Sequence, residues 1–178
     1  MNDLVPIETV SWKELQQYVY DVDGSWRDIY VLDASRADWK IWVDFVNANY
    51  RVVFFDGEGI RHHQIDFAAV ESYWDGHGQA NMPTATFFVE ETGVNCHFFV
   101  DGELENDVDP SKITSYAVHQ QLMDYLTRIS QSLGKEVVLT AENDMPATRS
   151  LDGVWQPLLS VNGGQVRVQA YWLAAGAS

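Results

Sequence analysis

Apolar residues recur along this chain at two spacings, roughly every third or fourth position and every second position, and each switch marks an element boundary. Ser11 and Glu14 form an S-x-x-E capping box, with Val10 and Leu15 placed as a hydrophobic staple, so a helix is expected over 12–20. Residues 28–32 alternate and are rich in β-formers, which predicts a strand. Ser35 then caps a helix over 36–48, whose Trp39, Trp42, Val43 and Val46 make one apolar face toward a sheet. The run 50–55 is continuous and apolar-rich and reads as a strand buried on both faces. A turn at 56–59 leads into 60–65 as a hairpin, and Asp66 caps a short helix through Trp74. Residues 76–83, with two Gly and one Pro, are expected to form a mobile loop.

Two strands, 84–90 and 94–100, should be joined at Thr92-Gly93. Asp109-Pro110 is the expected start of the longest helix, which runs to Leu133 and stops at Gly134. Leu122, Leu126, Ile129 and Leu133 form its buried stripe. A strand over 136–140 follows, and 158–161 with 166–172 should make a hairpin around Asn162-Gly163-Gly164 before residues 174–178 fray. The succession predicts an α+β (mixed α/β) fold: one domain over 1–178, a mixed sheet with about four helices packed on it, and a C-terminal β-hairpin.

Two units have the form strand, long helix, strand, and connections of that length permit parallel crossovers. Parallel pairing would bring Asp33 and Asp56 to one sheet edge, and Asp101, Glu103, Glu142 and Asp144 to another. If both units joined one sheet in the same sense, all of these acids would meet.

Charge sharpens that expectation. The formal net charge is −15, and between Arg61 and Lys112 there are ten acids and no Lys or Arg. Such a surface repels nucleic acid and anionic lipid and attracts a basic protein or a metal cation. Apolar residues make up 46% of the chain, enough for a real core, and seven Trp, eight Tyr and eight Phe supply large rings. Asp101, Glu103, Glu105, Asp107 and Asp109 occupy every second position, so in extended backbone all five side chains share one face. The same run lacks the Gly and Glu positions of an EF-hand loop.

Catalytic and metal-binding motifs are missing from the sequence. The five His occur without H-x-x-x-H or H-E-x-x-H spacing, and adjacent His62-His63 on a strand would point to opposite faces. G-x-S-x-G, the P-loop pattern and G-x-G-x-x-G are also absent. Cys96, the sole cysteine, sits in an apolar strand as a buried thiol and suits a reducing compartment. The start lacks a basic, apolar leader and no stretch is long and apolar enough to span a bilayer, so a soluble, cytoplasmic protein is expected.

In size, acidity and aromatic content the chain resembles bacterial toxin-neutralising immunity proteins; the resemblance covers composition and size and carries over no residues. The expectation is a non-enzymatic, cofactor-free binding protein that docks a basic partner through Asp101, Glu103, Glu105, Asp107, Asp109, Glu142, Asp144, Asp33 and Asp56. The alternatives are a divalent-metal-dependent hydrolase or phosphotransfer enzyme using strand-end carboxylates, and an interaction domain of another role.

Overall fold

In a computed structural model, which describes residues 4–76, 81–144 and 157–169, the chain builds one ten-stranded sheet with four α-helices. A short strand β1 (Leu4–Pro6) precedes helix α1 (Trp12–Tyr18). Strand β2 (Arg27–Val31), helix α2 (Arg36–Asn49), and strands β3 (Arg51–Phe55) and β4 (Arg61–His62) follow. Next come α3 (Phe67–Trp74), β5 (Thr84–Val89), β6 (Thr92–His97) and β7 (Leu104–Val108). The chain continues through α4 (Tyr116–Leu133), β8 (Val137–Ala141), β9 (Leu159–Asn162) and β10 (Gln165–Gln169). The fold is therefore α+β, and β9 and β10 form the expected C-terminal hairpin.

The capping signals act as the sequence indicates. Ser11 with Glu14 and Ser35 with Asp38 both form complete capping boxes, each satisfying donors that a helix start leaves open. Asp66 accepts from the N–H groups of Ala68 and Ala69 at the start of α3. Gly134 ends α4 in the left-handed conformation (φ 63°), which a residue without Cβ adopts freely.

The sheet order is β1-β10-β9-β8-β2-β7-β6-β5-β3-β4, and every described pairing is antiparallel. The expected parallel pairs do not form. Strands β5, β6 and β7, which come later in the chain, insert between β2 and β3, and β2 separates β7 from β8. Polarity alternates across the sheet, so β2 and β3 still run in the same sense, and Asp33 and Asp56 follow strands that end at the same edge. Four strand spacings separate those strands, roughly 19 Å. Strands β6 and β8 run oppositely, so 98–103 and 142–144 lie at opposite edges.

Other boundaries differ from expectation for local reasons. The acidic run contains a strand, β7, because Leu104, Asn106 and Val108 alternate inward between its acids. The long helix does not begin at Pro110: residues Pro110–Lys112 form one 3-10 turn, and Ser115 caps α4 afresh. The turn between β5 and β6 falls at Glu90-Glu91 rather than Thr92-Gly93, with Glu90 at φ 53°. β3 is buried on one face only, since Arg51 and Phe55 are exposed. Residues 77–80 of the expected mobile loop, and 170–178 of the expected last strand and tail, lie outside the described residues.

One cluster of buried side chains joins the helices to a single face of the sheet. α2 contributes Trp39, Trp42, Val43 and Val46, and α4 contributes Leu122, Leu126 and Ile129. They meet Ile29 and Val31 of β2, Leu104 and Val108 of β7, Cys96 of β6 and Phe87 of β5. Trp39 and Trp42 pack edge to face, with ring centroids 5.5 Å apart. A buried relay ties the layers: Trp42 Nε1 donates to Tyr125 Oη (3.0 Å), which donates to Asn106 Oδ1 of β7 (2.7 Å). Buried Arg27 is likewise bonded, to Val19 O, Asp21, Ser25 Oγ and Trp26 O.

Candidate functional site

Strand alternation that turns Ile29 and Val31 toward the helices turns Asp28 and Tyr30 to the opposite face. On β7 the same rule turns Glu105 and Asp107 to that face, and on β6 it turns Asn95 and His97 there. Register then assembles these side chains into rows. Asp28 pairs with Asp107, Asp107 with Asn95, and Asn95 with Thr86, while Tyr30 pairs with Glu105. On the other side of β2, Thr140 of β8 pairs with Asp28. Paired side chains on one face lie about 5 Å apart at Cβ, so three carboxyls from β2 and β7 become neighbours.

Hydrogen bonds fix much of this face. Thr86 Oγ1 donates to Asn95 Oδ1 (2.8 Å), and Asn95 Nδ2 donates to Asp107 Oδ1 (2.9 Å). His97 Nε2 lies 3.4 Å from Asp107 Oδ2 and stacks its ring on Phe99, with centroids 5.4 Å apart. Asp28 Oδ2 accepts from the Asn143 N–H (2.8 Å) and from Tyr30 Oη (3.4 Å). Glu142 Oε2 accepts from the Trp26 N–H (3.1 Å), which brings a further acid close to Asp28.

The electrostatic consequence is plain. Burial, then the charges of Asp28, Glu103 and Asp107, push the Glu105 carboxyl up to about 7, against a small opposing effect of His97. Burial also raises Asp28, with Asp107 and Glu142 adding to it and the Asn143 N–H opposing. The bond to Asp107 raises His97, and burial opposes. Neither Asp28 nor Glu105 forms an ion pair with a Lys or Arg among the described residues.

No protein family, curated protein or solved structure matches this chain. The face must therefore be read from its own chemistry. Among the described residues, no group of three or more His, Cys, Asp or Glu side chains is arranged to hold a metal ion. No described helix is long and apolar enough to cross a membrane. Cys96 is fully buried, and burial pushes its thiol well above the ordinary range, so it stays protonated and unreactive.

Of the nine acids singled out in the sequence, the structure gathers Asp107, Glu142 and Glu105 near Asp28, and sets Glu103 beside Glu105 at the other end of the row. Asp101 is elsewhere, held by Arg36 Nε at 2.7 Å, which also bridges to Asp75. Asp109 caps the 3-10 turn through the Ser111 N–H, and Asp144 closes a turn onto Ala141 O. Asp33 takes a left-handed turn conformation (φ 54°), and its carbonyl accepts from Lys135 Nζ. Asp56 organises its own loop, accepting from the Glu58 and Ile60 N–H groups and pairing with His62 Nε2 at 2.7 Å.

Asp28, Tyr30, Asn95 and His97 belong to the face but were not singled out from the sequence. Asp28 carried a usable signal, a charged residue inside an otherwise β-forming run. Asn95 and His97 carried none, because only the register with β7 brings them beside Asp107.

Proposed function

We propose that this protein is a non-enzymatic binding protein that docks a basic partner on the face of its sheet opposite the helices, in an immunity- or inhibitor-like role. The observation that carries the reading is the convergence of Asp28, Glu105 and Asp107 from two paired strands. Burial and then the neighbouring carboxylates raise Glu105, and an incoming cation would offset the repulsive part. Exposed Phe99, Val100 and Phe55 lie along the edge toward which 98–103 and the end of β3 project, and supply apolar anchor area beside the charge. The net charge of −15 speeds encounter with a basic protein and disfavours nucleic acid and anionic membrane. A lone, buried, reduced cysteine suits a cytoplasmic setting.

Affinity capture tests the reading. Immobilised protein should retain a basic protein that elutes as NaCl rises from about 0.05 to about 0.5 M. The double variant Glu105→Gln/Asp107→Asn should fail to retain it. Retention that ignores both salt and the double substitution would count against this face. A carboxylate enzyme would instead gain melting temperature on addition of magnesium.

A further inference from the structure

Resting on the basic-partner reading, we infer that the group seated on this face is the guanidinium of a partner arginine rather than a lysine ammonium. Three features of the face point to it. First, its acceptors lie at graded depth: Glu105 and Asp107 are half-buried, Asp28 is 6% exposed and Thr140 is fully buried. A long, planar side chain reaches down such a gradient, and its weakly hydrated head costs less to desolvate than an ammonium.

Second, acceptor capacity is left over at the deep end. The Thr140 hydroxyl, paired in register with Asp28 on the same face, is buried without any hydrogen-bond partner. Both hydrogen bonds accepted by Asp28 among the described residues reach Oδ2, leaving Oδ1. A buried hydroxyl without a partner is costly, so it marks a place where a donor belongs. These acceptors sit on three strands, β2, β7 and β8, at separations of about 5–8 Å. A fork of five fixed N–H donors spans such a set, whereas an ammonium is a point charge that engages one or two of them.

Third, a flat surface lies alongside. His97 and Phe99 are stacked at an interplanar angle of 28°, and Phe99 is 50% exposed. Guanidinium planes lie on aromatic faces, and this protein already uses that contact internally, with Arg51 centred 3.6 Å from the Phe88 ring.

Calorimetric titration of the whole protein with octa-arginine and with octa-lysine, at about 0.15 M salt, tests the assignment. The arginine peptide should bind roughly tenfold more tightly. That preference should collapse in Glu105→Gln and shrink in Thr140→Val, while Glu91→Gln, an exposed acid away from the face, should leave it intact. Urea midpoints of each variant show that it is folded, and Glu105→Gln, at a partly buried position, stands in if a fully buried substitution unfolds the chain. Equal affinity for the two peptides, both weakened by Glu105→Gln, would overturn the guanidinium assignment and leave the basic-partner reading standing. Binding of neither peptide, or binding indifferent to Glu105→Gln, would overturn both.

Discussion

Glu105 is where the cost of the acidic face is concentrated. Its carboxyl is raised from an ordinary 4.5 to about 7, so the folded state favours the protonated form. A group raised in this way adds stability below its unfolded value, and that stability is lost as pH rises through 7. His97, raised through its bond to Asp107, changes stability in the same direction above its ordinary 6.5. At the acid end Asp56, held low chiefly by His62, works oppositely and loses its contribution as pH falls. Buried His119, held down to about 4, works oppositely to Glu105 and adds stability as pH rises to about 6.5, so the net decline in unfolding free energy should appear between about pH 6.5 and about pH 8. Glu105→Gln should flatten that decline and stabilise the protein at pH 8 by about 1 kcal/mol, once solvent screening of a partly buried group is allowed for. Urea titrations across pH check both, and a wild-type profile that rises from about pH 6.5 to about pH 8 would contradict them.

Among elements, β7 is the hinge of the arrangement, because its inner face completes the core and its outer face carries the acids. The relay from Trp42 through Tyr125 to Asn106 fixes α2 and α4 against that strand. Tyr125→Phe removes an acceptor from one buried group and a donor from another. It should cost about 2–3 kcal/mol, measured by urea unfolding. At the far end of α4, Gly134→Ala meets open space but must hold φ 63°, so a loss of about 1 kcal/mol is expected from strain alone. The helices were legible in the sequence because their signals are local: a Ser with an acid three residues on, or a Gly after an apolar stripe. Strand partners were not, since pairing is decided by segments far apart in the chain. The spacing of β2, α2 and β3 allowed a parallel crossover, and three later strands occupied the place it needed. Strand β7 itself was half-legible: the every-second-position spacing puts Glu105 and Asp107 on one face of the strand, while Asp101, Glu103 and Asp109 lie beyond the strand ends.

At the scale of the whole molecule, a net charge of −15 places the folded chain under self-repulsion that unfolding relieves. Raising NaCl from about 0.05 to about 0.5 M should move the urea midpoint upward, even as it weakens any electrostatic docking. The two responses have opposite signs, so they separate repulsion within the protein from attraction to a partner. Helices cover one side of the sheet, and the other presents Glu105, Asp107 and His97 from adjacent strands. The asymmetry makes the claim spatial as well as electrostatic. The most direct measurement is an amide chemical-shift map of the protein titrated with octa-arginine. Shifts confined to β2, β6, β7, β8 and the 98–103 connection, with Glu105 at the centre, are the predicted result. Shifts spread over acids throughout the surface, Asp44 and Glu58 as much as Glu105, would contradict it.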